Sequence, residues 1–301
     1  MTPIASTPQK NNRSLIILAW IVVALISALP DILWSEITGS VPKWLLAAKL
    51  VFLGIMAVAS YFYKPIKPLH NFFLIMIAFF GLLELRPRID FTLPFLQNLF
   101  GANVFDQRMQ AEQIGKLAVS IVMILILFVL GYKCKDIFLT PGNLKALIQP
   151  VKLLGFPKSE PWTKFGLLWS FCIAAGLGVA LYLGMKPSGS MFIKLLPILP
   201  SIIFYAALNA FNEEMVFRAP MLATLEPVSG SLNTLWMAAY FFGISHYFGV
   251  PSGIFGALAS IFMGWILSKA MLETRGLFWS WWIHLLSDIV IFSFLTMGLL
   301  K

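Results

Sequence analysis

The stretch FGLLWSFCIAAGLGVALYLG, residues 165–184, decides the fold class. It holds 20 residues without a charged side chain, and a helix of that length can cross the hydrocarbon core of a bilayer. The composition of the whole chain agrees, because 59% of its 301 residues are hydrophobic and only 12% are charged. A soluble domain carries about twice that share of charge. The sequence therefore predicts an all-α, polytopic transmembrane helical bundle, and it excludes coiled-coil, collagen-like and disordered chains.

Apolar runs of this kind recur along the chain and predict nine membrane spans, or eight if the short third run does not cross. The predicted spans are Ser14–Pro30, Trp44–Tyr63, Leu69–Leu85, Gly115–Tyr132, Phe165–Gly184, Ile193–Phe211, Asn233–Val250, Ile254–Met271 and Leu277–Leu299. Prolines and glycines are dense between the fourth and fifth runs, which predicts a linker there. We therefore expect a four-span N-terminal region without a motif (1–139), a basic cytoplasmic linker (140–163) and a C-terminal membrane domain (164–301).

The net charge of +9 is mainly a signal of membrane orientation. Six lysines lie between residues 133 and 164, as expected of a cytoplasmic loop against anionic headgroups. Because Lys10 and Arg13 precede the first span, we expect a cytoplasmic N-terminus in an integral, multi-pass protein of a bacterial inner membrane. No zinc finger or aromatic-interleaved basic array indicates a nucleic-acid partner. Cys134 and Cys172 are predicted to be free thiols.

Charged side chains inside apolar spans are costly, and most of those in this chain lie in its last third. Glu214 and Arg218 are four residues apart on one helical face and are predicted to form a structural ion pair. Because successive side chains of a helix point about 100° apart, Glu213 faces elsewhere and is the carboxylate assigned as a general base. Asn209, one turn earlier on the face of Glu213, is predicted to orient it. A charge cluster at the membrane edge is the simpler alternative, and Lys49 is predicted to extend to the interface in a structural role.

Two later spans each carry a histidine with a partner one turn away. Phe242 precedes His246, and His284 precedes Asp288, so that each pair shares a helical face. A single histidine in a span is more often a hydrogen-bonded packing residue than a catalyst. The clustering of all three features between Glu213 and Asp288 favours a common site.

The order Glu-Glu-x-x-x-Arg, Phe-x-x-x-His and His-x-x-x-Asp resembles the CPBP intramembrane proteases. That family includes the CAAX prenyl endopeptidases of the Rce1 type and the bacterial Abi, or bacteriocin self-immunity, proteins. The resemblance covers about a third of the chain, from Pro197 to Ile291. It implies an intramembrane endopeptidase in which Glu213 activates water with the help of His246, while His284 and Asp288 stabilise the oxyanion. The implied substrate is a membrane-embedded or lipid-anchored protein or peptide.

The chain departs from the family pattern at two points. Ala219-Pro220 follows the motif arginine where a glycine is common, and Pro220 is expected to bend or end the helix. Asp288 stands where Asn is commoner, and an ionised Asp cannot donate a hydrogen bond to an oxyanion. Asp288 must therefore be protonated, orient His284, or bind a positive group.

Three further alternatives stay open on the sequence alone. We expect no cofactor, but zinc is possible, and its ligands would then be Glu213, His246 and His284. The acidic and histidine residues could instead serve a proton- or cation-coupled secondary transporter. The chain could also be a non-catalytic relative that acts as an immunity or scaffold protein.

Overall fold

A computed structural model describes residues 13–96, 100 and 103–300 of the chain. Lys10, which contributed to the predicted orientation, lies outside the described residues. Within the described part no β-strand forms, and extended backbone pairs only at two isolated bridges, Leu147 with Pro161 and Val151 with Phe156. The predicted fold class, a polytopic bundle of transmembrane helices, is confirmed.

In chain order the described α-helices are α1 (Arg13–Ile26), α2 (Leu29–Thr38), α3 (Trp44–Phe62), α4 (His70–Leu85), α5 (Val104–Val129), α6 (Trp162–Met185), α7 (Gly189–Leu195), α8 (Leu199–Glu213), α9 (Ala219–Ser245), α10 (Gly253–Thr274) and α11 (Phe278–Leu299). The longest connection between the described α-helices is the one from α5 to α6. A π-helical turn, Glu214–Arg218, joins α8 to α9.

Seven helical stretches of the described chain are long and apolar enough to cross a membrane. An eighth is added if α1 and α2, which are bent by 42° to each other, form one broken span. Pro30 lies in the first turn of α2, where its missing N–H costs no helical hydrogen bond. One stretch, Gly189–Phe248, is 60 residues long; it contains the predicted span Ile193–Phe211 and all but the last two residues of Asn233–Val250.

The chain folds into two compact units that are not consecutive in sequence. The first unit comprises the described residues of 13–81, 126–133 and 217–268, and the second comprises those of 82–125, 134–216 and 269–300. The predicted division at residues 140–163 stays a prediction.

In the second unit, α5, α8 and α11 share one hydrophobic core. The Phe105 ring of α5 lies edge-on to Tyr205 of α8 and to Phe292 of α11, with centroids 6.1 and 5.8 Å apart. Burial of three aromatic side chains against one another gives close, specific packing. This packing fixes the three helices whose polar residues form the site described below.

The linker between α5 and α6 is an ordered loop of the second unit. Asn143 donates its backbone N–H to the carbonyl oxygen of Thr274 at 2.8 Å, and Trp162 Nε1 donates to Glu273 at 2.9 Å. Leu153 is 94% exposed at the tip of the loop. Cys134 and Cys172 are free and exposed, as predicted.

Candidate functional site

The junction of α8 and α9 sets the positions of the two motif glutamates. Glu213 ends α8, and Glu214 begins the π-helical turn. Pro220 lies in the first turn of α9, directly after the π-helical turn, and the expected bend or end of the helix at this proline stays a prediction. Pro220 has no N–H to donate to a carbonyl one turn earlier, so the regular hydrogen-bond pattern lacks one donor here. A π-helical turn also departs from the regular α-helical spacing on which the predicted faces of Glu213 and Glu214 depend.

His284 of α11 is the centre of the site, with three carboxylates around its ring. Its Nδ1 lies 2.8 Å from Glu214 Oε1. Its Nε2 lies 3.5 Å from Glu213 Oε2 and 3.7 Å from Asp288 Oδ2. Because an imidazolium can donate from both ring nitrogens, His284 can serve a carboxylate on each side of the ring. The structure therefore brings together four of the predicted residues, Glu213, Glu214, His284 and Asp288.

The two glutamates differ in their access to solvent. The Glu214 side chain is fully buried, and it also accepts a hydrogen bond from the Ser280 hydroxyl. The Glu213 side chain is 17% exposed. Of the two glutamates beside His284, Glu213 is thus the one with an accessible side chain.

The helix α5 adds a positive charge that was not among the predicted site residues. Lys116 Nζ lies 3.1 Å from Glu213 Oε1 and donates to Asn209 Oδ1 at 2.7 Å. It also lies 3.5 Å from Glu112, an exposed residue one turn earlier on the same helix. The amide of Asn209 donates in turn to Asp288 Oδ2 at 2.9 Å. Asn209, predicted to orient Glu213, therefore bridges Lys116 and Asp288.

A signal for this contribution is present in the sequence. Gln113, Lys116 and Ser120 are three and four residues apart, a spacing that lines up polar side chains on one helical face. The predicted span began at Gly115, whereas α5 begins at Val104, so the start of the polar face lay in a predicted loop. In the structure Gln113 donates to Asn209 at 3.0 Å, and Ser120 donates to Asn212 at 3.1 Å.

The remaining predicted residues lie in the first unit. His246 Nδ1 is 3.0 Å from the carbonyl oxygen of Phe242, and the two rings are 4.6 Å apart, so these two residues are adjacent as predicted. Arg218 Nε donates to Ser268 at 3.2 Å, and its guanidinium lies 4.7 Å from the Phe242 ring. The role of His246 and the ion pair of Arg218 with Glu214 stay predictions.

Lys49, the other predicted structural residue, is buried in the first unit. It forms an ion pair with Asp31 and donates to the carbonyl oxygen of Ser27 at 2.8 Å. A lysine that finds a carboxylate and a carbonyl within the protein does not need to reach the membrane interface.

In the described ranges, no group of three His, Cys, Asp or Glu residues has a geometry suited to a metal ion. The three carboxylates around His284 lie within 4 Å of its ring nitrogens, and that of Glu213 also pairs with Lys116. Such an arrangement can move protons and hold a polarised water molecule without a ligated ion.

Helices that span a membrane around a buried cluster of acids and a histidine define the class of protein: a polytopic membrane protein with a polar site inside its apolar spans. Residues 195–290 match the family described as type II CAAX prenyl endopeptidase Rce1-like. The chain therefore contains an Rce1-like domain of the CPBP family, as the three motifs predicted. The family is one of proteases, which supports that class for this domain. No curated protein and no solved structure matched the chain.

Proposed function

We propose that the chain is an intramembrane endopeptidase in which Glu213 is the general base. The arrangement around His284 carries this proposal. Glu214 lies beside Nδ1 of His284 and its side chain is fully buried. Glu213 lies beside Nε2, and part of its side chain is exposed. A general base must reach water and also lie close to groups that stabilise the developing charge, and the partial exposure of Glu213 and its place beside His284 support this role.

In the proposed reaction, Glu213 removes a proton from a water molecule as the water oxygen bonds to the carbonyl carbon of the scissile peptide. The carbonyl oxygen becomes an oxyanion, and a ring N–H of His284 donates a hydrogen bond to it. Glu213 then returns the proton to the peptide nitrogen, and the carbon–nitrogen bond breaks. A carboxylic acid and an amine are released, and Glu213 is a carboxylate again.

The roles of His246 and Asp288 follow from different kinds of support. For His246, assistance to Glu213 rests on the family resemblance and on its place after Phe242. For Asp288, the hydrogen bond from Asn209 and the distance of 3.7 Å to His284 Nε2 support a role in orienting the imidazole. A carboxylate beside the imidazole favours its protonated form and holds one ring position, which an oxyanion donor requires.

We propose that the reaction needs no metal ion. Zinc would draw on Glu213, His246 and His284, but the Lys116 ammonium lies 3.1 Å from Glu213. A second cation at the same carboxylate would meet strong repulsion inside an apolar span. His284 also has carboxylates near both ring nitrogens, and two flanking acceptors favour a protonated ring that has no lone pair to offer a metal.

The proposed substrate is a membrane-embedded or lipid-anchored protein or peptide, because the site lies in helices that span the membrane. We place the protein in a bacterial inner membrane with its N-terminus in the cytoplasm. The six lysines between residues 133 and 164 support that orientation, since cytoplasmic loops carry an excess of positive charge.

The test uses the full chain reconstituted in lipid nanodiscs with fluorogenic peptides. One peptide carries a transmembrane segment and another carries a prenylated cysteine near its C-terminus. We expect Glu213→Gln to lower kcat by about 10²–10⁴-fold, the usual contribution of a general base. The matched control is Glu160→Gln, which removes a carboxylate from the linker and should leave kcat unchanged. Cleavage by Glu213→Gln at the wild-type rate would reject the mechanism.

A chelator distinguishes the two forms of the reaction. We expect incubation with EDTA and 1,10-phenanthroline to leave kcat unchanged. Loss of activity that added zinc restores would replace the metal-free mechanism with a zinc-dependent one.

A further inference from the structure

Lys116 lies outside the Rce1-like domain, yet its ammonium contacts the proposed base directly. The residue is 97 positions before Glu213 and belongs to α5, whereas the matched domain begins at residue 195. Its side chain is 24% exposed and the Glu213 side chain is 17% exposed, so both are partly accessible. An ammonium has three donors and no acceptor, so each of its neighbours must present an oxygen.

The requirement for an oxygen fixes the amide of Asn209. Its Oδ1 accepts from Lys116 at 2.7 Å and from Gln113 Nε2 at 3.0 Å. With the oxygen held on that side, the Asn209 NH₂ group must face Asp288, to which it donates at 2.9 Å. A reversed amide would turn its oxygen toward a carboxylate, which would be repulsive.

We propose that Lys116 is a positioning residue of the active site: its ammonium holds the Glu213 carboxylate and, through Asn209, fixes the orientation of Asp288. This inference rests on the proposed function for the roles of Glu213 and Asp288. One residue thus sets the position of two acids on the same nitrogen of His284. The N-terminal half of the chain, in which the sequence shows no motif, would then complete the site of the C-terminal domain.

Packing between α5 and α8 does not depend on Lys116 alone. Ser120 donates to Asn212 Oδ1 at 3.1 Å, and Asn212 Nδ2 donates to the carbonyl oxygen of Gln113 at 3.1 Å. These two buried hydrogen bonds join the same pair of helices without any charged side chain. Ser120 lies one turn after Lys116 and provides a matched control for the loss of a contact between α5 and α8.

The first experiment compares cleavage by the full chain in nanodiscs with wild type, Lys116→Met, Lys116→Arg and Ser120→Ala. We expect Lys116→Met to lower kcat at least about tenfold with little change in KM, because positioning of the base affects the chemical step more than binding. Lys116→Arg keeps the charge and the donors, and should recover part of the rate. Ser120→Ala should keep kcat within about twofold of wild type, because Ser120 touches no proposed catalytic group. The proposal is overturned if Lys116→Met and Ser120→Ala have equal kcat, or if Arg and Met at position 116 are equally impaired.

The second experiment does not require activity. Apparent melting temperatures are measured for Lys116→Met, Asp288→Asn and the double variant. If Lys116 acts on Asp288 through Asn209, the loss in melting temperature on removing Lys116 is smaller when residue 288 is an amide, because an amide accepts either orientation of Asn209. Additive losses would overturn the link to Asp288. Coupling in a protein that cleaves no peptide would reject the proposed function and leave the network of Lys116 standing.

Discussion

Lys49 and Lys116 both lie within apolar helices and both pair with carboxylates, but their surroundings differ. In the first unit, Lys49 is 8% exposed and faces one carboxylate, Asp31, together with the carbonyl oxygen of Ser27. In the second unit, Lys116 faces Glu213 and Glu112, and it reaches a further carboxylate, Asp288, through Asn209.

This difference distinguishes an ion pair that stabilises the fold from a cluster with the features of a functional site. A single carboxylate is enough to neutralise one lysine that lies in a low-dielectric environment. Three carboxylates within 4 Å of the His284 ring exceed what packing requires, because each added like charge disfavours the others. Clusters of that kind concentrate at functional sites.

The largest expected effect is on stability, and it depends on how deeply each carboxylate is buried. Glu214→Ala removes a fully buried carboxylate that pairs with His284 and accepts a hydrogen bond from Ser280. We therefore expect a loss of about 3–5 kcal/mol in the free energy of unfolding. Asp31→Ala should cost less, about 1–3 kcal/mol, because the Asp31 side chain is 19% exposed. Chemical denaturation in detergent measures both.

Glu214→Gln is the control for the volume that alanine removes. It keeps the size of the side chain and one acceptor, and should recover part of the lost stability. If Asp31→Ala cost as much as Glu214→Ala, the two regions would be energetically alike and the comparison would fail.

A double substitution at the Lys49 pair should have a smaller effect on stability. Lys49→Met combined with Asp31→Leu replaces both partners of the pair with apolar side chains, and we expect stability within about 1 kcal/mol of wild type. We also expect kcat to be unchanged, since neither residue belongs to the proposed site. A fall in kcat without loss of stability would show that the pair of the first unit also serves function.

The smallest effect comes from an exposed pair. Arg88 and Glu84 are one turn apart, with side chains 66% and 49% exposed. We expect Arg88→Gln to change the free energy of unfolding by less than about 0.5 kcal/mol, because solvent screens such pairs. The measurement gives the stability effect of an exposed ion pair, with which the effects at Lys49 and Lys116 are compared. A larger loss of stability would mean that burial does not explain why the ion pairs differ in their contribution.

Prediction from the sequence was successful where the signal is local. The pairs Phe242 with His246 and His284 with Asp288 are each one turn apart, and the structure places each pair together. These features depend on residues within a single turn of helix, where spacing alone fixes geometry.

Prediction was incomplete where distant helices meet. Lys116 lies within a predicted span, but nothing in its own segment indicates which helix it faces. Asn209 was predicted to orient Glu213 from its spacing, and the contact that the structure adds is with Asp288, 79 residues later. A hydrogen bond across that separation depends on the packing of α8 against α11.

The amino-acid sequence alone predicts that the protein spans a membrane. It also indicates which acidic and histidine residues are candidates for a site. It could do so because apolar runs and helical spacing are local, and because a scarce charge inside a span must have a reason. Only the tertiary structure decided that Glu213 and Glu214 share one imidazole and that α5 supplies the cation beside Glu213. The physical reason is that side-chain packing in the core of α5, α8 and α11 sets these distances, and packing is a property of helices in contact.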